Sequence, residues 1–112
     1  MDMRILPRLM LVVASLAFGA TICGAAANSS AADLYKSKCS MCHGLDGKGY
    51  TAIHTPDFTS PKWQAAHTDR QISGAIENGV TGTSMPAWRG KLTAAQVHDL
   101  VGYIRSLSAE KK

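Results

Sequence analysis

From residue 30 onward, apolar positions recur at helical rather than strand spacing. Val97, Leu100, Val101, Ile104 and Leu107 follow one another at three- and four-residue intervals, with Tyr103 alongside. Thr93 and Gln96 stand just before them as a capping box, so the spacing predicts a C-terminal helix. A shorter stripe, Ile72, Ala75 and Ile76, opens on a second box at Thr68–Gln71 and closes at Asn78-Gly79. Ser60 followed by Pro61 reads as an N-cap with proline in the first turn, opening a short helix through Trp63 to Ala66. Ser30 with Asp33 is a weaker variant of the box, leading into Leu34, Tyr35 and Lys38. No alternating apolar run of strand length occurs, so the fold class read from the pattern is all-α. The stretches Gly44 to Pro61 and Val80 to Lys91 carry glycines and prolines without either period and read as long loops.

Residues 1–27 follow a different rule. Arg4 and Arg8 precede an apolar run from Leu9 to Phe18, and Ala25, Ala26 and Ala27 close the segment. That order is a secretory signal peptide with a small-residue cleavage site, which leaves 28–112 as a single domain. Even extended to Cys23, the run is about 15 residues, short of the roughly 20 that span a bilayer. An uncleaved anchor is the alternative, and cleavage as late as Ala32 is compatible with the same pattern. Lipidation at Cys23 is disfavoured by the bulk of Ile22 before it. The expected location is the periplasm.

Charge and cysteine count narrow the function. The chain has 12 basic and 8 acidic residues, net +4; a cut after Ala27 removes Arg4, Arg8 and Asp2 and leaves 10 and 7, net +3. A surplus that small gives no nucleic-acid footprint. Of three cysteines, Cys23 falls in the leader, so Cys39 and Cys42 alone remain. A chain this short with few large apolar side chains ordinarily needs a staple or a prosthetic group to complete its core.

Cys39-Ser40-Met41-Cys42-His43 has the spacing of a haem c attachment sequence. On one helical turn two thiols can add across the vinyl groups of a haem, and the adjacent imidazole falls under the iron. A redox dithiol would call for a βαβ setting, a zinc site for two further ligands, and a disulfide across three residues would stabilise little. For the opposite face of the iron, Met85, stiffened by Pro86, is the better candidate, because Met41 lies within the attachment motif. His54, His67 and His98 compete, as does an open site, although His98 is off the apolar stripe of the last helix. Methionine–histidine ligation raises the reduction potential and leaves no position for a substrate.

These residues together resemble small bacterial class I cytochromes c over nearly the whole mature chain. The likeness runs through Leu34-Tyr35, Cys39 to Gly44, Asp46-Gly47-Lys48-Gly49, Pro56-Asp57-Phe58, Gly79, Met85-Pro86-Ala87-Trp88 and Asp99 to Leu107. The resemblance implies one haem c bound covalently through Cys39 and Cys42, with His43 proximal and Met85 distal. It implies the small cytochrome c fold, in which crossed N- and C-terminal helices bring Leu34 and Tyr35 against Leu100, Tyr103 and Ile104. Short middle helices and long loops then surround the haem. It also implies that the Pro56 carbonyl accepts a hydrogen bond from the axial histidine; Trp63 either donates to a haem propionate or is simply packed.

The expected activity is that of a monohaem one-electron carrier between exported or membrane-bound redox proteins, not an enzyme. It would be a monomer with redox-protein partners and no nucleic acid or small-molecule substrate. An electron-relay subunit of one dehydrogenase or oxidase complex is the second reading, and a gas sensor or peroxidase-like protein with a labile Met85 the third. Lys36, Lys38, Lys48, Lys62, Arg89 and Lys91 form a loose basic rim in place of the lysine-dense ring of longer relatives, and serve docking or plain solubility.

Overall fold

Four side-chain caps set where the main helices begin. The computed structural model describes residues 30–108 together with Gly19; the leader predicted over 1–27 otherwise lies outside the described residues. Helix α1 (Ala31–Lys38) starts at Ser30, whose hydroxyl oxygen accepts from the Asp33 amide at 3.2 Å. Asp33 takes the Ser30 hydroxyl proton at 2.9 Å, so this box closes side chain to side chain. Helix α3 (Pro61–Ala66) starts at Ser60, α4 (Asp69–Asn78) at Thr68 and α5 (Ala94–Ser106) at Thr93, the last two with both reciprocal bonds of the capping box.

Between α1 and α3 the chain makes a single turn, α2 (Ser40–His43), and a 3₁₀ turn at Thr51–Ile53. The 3₁₀ turn lies inside the stretch read as irregular loop, and it ends at His54 with φ 56°, the one non-glycine residue of positive φ among the described residues. The described residues contain no strand, only an isolated bridge between Arg89 and Leu92.

Helix α5 packs against both α1 and α4. Leu34 and Tyr35 from α1, Ile72 and Ile76 from α4, and Val97, Leu100, Val101 and Ile104 from α5 form one buried core with Phe58. Each such side chain contributes roughly 1.5–3 kcal/mol by leaving water. The Tyr35 and Tyr103 rings meet at 5.0 Å, so the expected contact between the first and last helices is present. The far end of α5 is held by Arg105, which ion-pairs with Asp69 at 2.7 Å and donates to the carbonyls of Gln64 and His67 at 2.8 and 2.6 Å. Among the described residues no helix is long and apolar enough to cross a membrane.

Candidate haem-binding site

The site grows from the junction of α1 and α2. The Cys39 amide donates to the Tyr35 carbonyl at 2.9 Å, ending α1, and the Cys39 carbonyl accepts from the His43 amide at 3.0 Å, starting the next turn. One residue thus closes one helix and opens another, which places Cys39, Cys42 and His43 around a single turn. Both cysteines are free; Cys39 is half-buried and Cys42 exposed. Burial pushes the Cys39 thiol up to about 11, against a smaller lowering by Lys38.

The turn is closed underneath. The Tyr35 hydroxyl, itself buried, donates to the Gly44 carbonyl at 2.8 Å. The His43 carbonyl accepts from the Gly49 amide at 2.8 Å, and Gly49 sits at φ 70° with no room for a side chain. A Cβ on Gly49 would lie 2.5 Å from the Pro56 carbonyl oxygen and 2.7 Å from that of Thr55.

His43 Nδ1 is buried and has no hydrogen-bond partner. The Pro56 carbonyl, expected to accept from it, faces Gly49 instead, so ring orientation here rests on packing: the imidazole stacks on Phe58 at 4.8 Å with 20° between planes. Burial lowers the His43 pKa, keeping the ring neutral and its nitrogen lone pair available. Nε2 makes no hydrogen bond and is not among the buried unpaired atoms, so this nitrogen is open to a ligand.

Met85 reaches the same core by another route. After α4 the chain turns at Gly79, and the Met85 carbonyl accepts from Val80 N at 3.3 Å. Trp88 N donates to Ile76 O at 2.9 Å and Arg89 N to Glu77 O at 3.0 Å, which ties the Met85–Arg89 segment to the end of α4. Met85, Cys39, Trp63, Trp88 and Leu92 are partly buried residues packed around one core. Two free thiols on one turn, a neutral imidazole with an open nitrogen, and an apolar surround bordered by a thioether fit a covalently attached haem.

The competing histidines lie elsewhere. His98 projects from α5 with its side chain 90% exposed, beside Asp99. His54 is exposed on its turn. His67 stacks on Trp63 at 4.5 Å, and Trp63 packs on Phe58 at 4.7 Å, which puts Trp63 in a packed column behind His43. Sequence reasoning named Phe58 and Trp63 without finding this column, because its rings come from separate loops and helices and share no spacing. It also missed that Lys38 and Lys91 both lie over the Trp88 ring, at 5.5 and 5.8 Å.

Comparison with known proteins agrees with this geometry. Residues 26–104 match the family described as cytochrome c oxidase, cbb3-type, subunit III. The cbb3-type cytochrome c oxidase subunit CcoP of Rubrivivax gelatinosus is 37% identical over 79% of this chain and 30% of its own length. Subunit FixP of Bradyrhizobium sp. (strain ORS 278) is 29% identical over 74% of this chain and 28% of its own. The chain therefore spans under a third of the length of these relatives. Among solved structures, the KustC0563 c-type cytochrome is similar at a TM-score of 0.66 and 29% identity, covering 71% of this chain and 99% of that one. The c-type cytochrome NirC is similar at 0.58 and 26%, covering 68% and 85%.

Proposed function

From a chain that belongs to the family described as cytochrome c oxidase, cbb3-type, subunit III, and so carries haem c on Cys39 and Cys42, we propose an exported one-electron carrier with His43 and Met85 as axial ligands. The observation that carries this reading is the α2 turn: two free thiols beside an imidazole whose Nδ1 is buried and whose Nε2 is open.

The haem, when bound, supplies an iron that gains and loses one electron. The chain's own residues do the rest. Cys39 and Cys42 fix the ring, Phe58 holds the His43 plane, and the Gly79 turn with the Trp88 and Arg89 amide bonds holds Met85 at the core. A methionine thioether favours the reduced iron and so sets a high potential. With His43 and Met85 both on the iron there would be no place for a reacting molecule, so this reading is of a carrier and not an enzyme. Export through the 1–27 leader places it in the periplasm as a monomer, with redox proteins as partners.

Absorption spectra of the purified protein, oxidised and reduced, with a pyridine haemochrome assay, test this reading. A haem c spectrum with the weak far-red band of sulfur on oxidised iron is expected, and the reduced protein should leave carbon monoxide unbound. A haem c spectrum without that band would remove Met85, and rapid carbon monoxide binding would favour a sensor.

A second reading, a relay subunit held in one oxidase complex, is favoured by the relatives, which are named as oxidase subunits and are more than three times the aligned length. Co-purification of the chain with an oxidase at high salt would select it over the free carrier.

A further inference from the structure

From His43, four aromatic rings, its own included, stand in contact and lead to the surface where α3 meets α4. The His43 and Phe58 rings are 4.8 Å apart at 20°, Phe58 and Trp63 4.7 Å at 54°, and Trp63 and His67 4.5 Å at 24°. All three separations are those of rings in direct contact.

The column is braced at every step. Phe58 N donates to Gly47 O at 2.8 Å, and Gln64 Nε2 donates to the carbonyls of Phe58 and Ile104 at 2.7 and 2.9 Å. His67 Nδ1 lies 2.9 Å from Trp63 O. A carbonyl can only accept, so Nδ1 carries the proton and Nε2 keeps its lone pair, accessible and unbonded. Arg105 grips the His67 carbonyl at 2.6 Å. Nothing in haem attachment or axial ligation uses Trp63 or His67. Packing alone would be satisfied by aliphatic side chains.

We propose that this column is an electron port, in which Phe58 and Trp63 bridge His43 to a redox partner seated at His67. The inference rests on the reading of His43 as an axial ligand. Electronic coupling falls off more slowly through rings in contact than across gaps, so a continuous stack favours this route over neighbouring ones. One electron leaves the iron, which passes from Fe(II) to Fe(III), and the one-electron oxidant at His67 is reduced. The rings are not themselves oxidised and no proton moves. Lys62 on α3 and Arg70 on α4, the helices either side of His67, are exposed and, among the described residues, in no ion pair, while Asp69 is taken by Arg105. This pair of charges fits the acidic face of a one-electron redox protein.

The test uses the haem-loaded protein with His54→Gln and His98→Gln, so that a photoactive ruthenium bipyridine complex attaches at His67 alone. A companion with His54→Gln and His67→Gln carries the label at His98. Flash photolysis follows oxidation of the haem by its absorbance. Trp63→Leu should slow transfer to the His67 label on the order of tenfold, Trp63→Phe should keep it near the parent rate, and transfer to the His98 label should not change. Phe58→Leu, with Trp63 intact, should slow the His67 route as well and stands in if Trp63→Leu does not fold. Equal rates in the leucine and phenylalanine variants, or equal slowing from both labels, would overturn the port. Loss of histidine ligation from the parent spectrum would instead strike the axial assignment beneath it.

Discussion

Gly79 closes α4 at φ 71° and ψ −178°, a backbone region that side chains avoid. A Cβ there would stand 2.7 Å from the Met85 carbonyl and 3.0 Å from the Ala87 nitrogen, both backbone atoms of the loop that presents the thioether. Gly79→Ala should therefore cost about 2–4 kcal/mol, combining strain with displacement, and weaken the far-red band. Gly82, at φ 79° but with nothing within 4 Å of a Cβ, is the internal control. Its alanine variant should lose roughly 1 kcal/mol from strain alone and keep the band. Thermal unfolding and spectra of both variants check this, and matched band loss would remove the argument from close approach. Tyr35 makes a second case at this scale. It is 1% exposed, and burial holds its phenol well above the ordinary tyrosine range. The folded state thus keeps its proton longer than the unfolded chain. The stability this provides is complete below about pH 10, where free tyrosine titrates, and is lost as pH rises beyond it. Tyr35→Phe gives up the bond to Gly44 O, about 1 kcal/mol near neutral pH, and should flatten the alkaline decline. Denaturant midpoints at pH 8 and above 10 measure both effects, and an unchanged alkaline slope would clear Tyr35 of any part in it.

Among the elements, α5 is the strut on which α1 and α4 rest, and its first turn is held by the capping box of Thr93 and Gln96. The Thr93 hydroxyl accepts from Gln96 N at 3.1 Å, and Gln96 Oε1 accepts from Thr93 N at 2.9 Å. Thr93 is exposed and lies outside the core, so Thr93→Ala isolates the cap and should cost about 1 kcal/mol. Chemical denaturation should show that loss without a change in the haem spectrum. The same locality explains what could be read in advance. A cap, an apolar stripe and a stop lie within a few residues of one another, so α3, α4 and α5 were legible from Ser60, Thr68 and Thr93, and the C-x-x-C-H turn from five consecutive residues. Arg105 was not, because Asp69, Gln64 and His67 lie far from it in sequence and only the α4–α5 packing brings them to its guanidinium. The hydrogen bond expected from His43 to the Pro56 carbonyl is absent for a related reason. Proximity of a proline in sequence says nothing about where its carbonyl points, and Gly49, lacking a side chain, leaves room for the Pro56 oxygen beside it.

For the whole molecule, the question that matters is whether the carrier travels or stays. Lys36, Lys38, Lys48, Lys62, Arg89 and Lys91 are all exposed. Arg89 is engaged with Glu77 and Asn78, whereas Lys38, the residue before Cys39 in the chain, and Lys91 converge on Trp88. Two positive charges are therefore gathered on one aromatic ring. A travelling carrier meets an acidic partner by diffusion, and that encounter is steered by fields that reach about 30 Å at 0.01 M salt and only about 8 Å at 0.15 M. Stopped-flow electron exchange with an acidic redox protein should then slow as salt rises, and Lys38→Gln with Lys91→Gln should lower the low-salt rate while leaving the high-salt limit nearly unchanged. A resident subunit behaves otherwise, because its transfer occurs within an assembled complex and has no encounter to screen. If the native partner, once isolated, exchanges electrons with this chain at a rate independent of both protein concentration and salt, the basic rim serves solubility, and the chain works as a fixed relay.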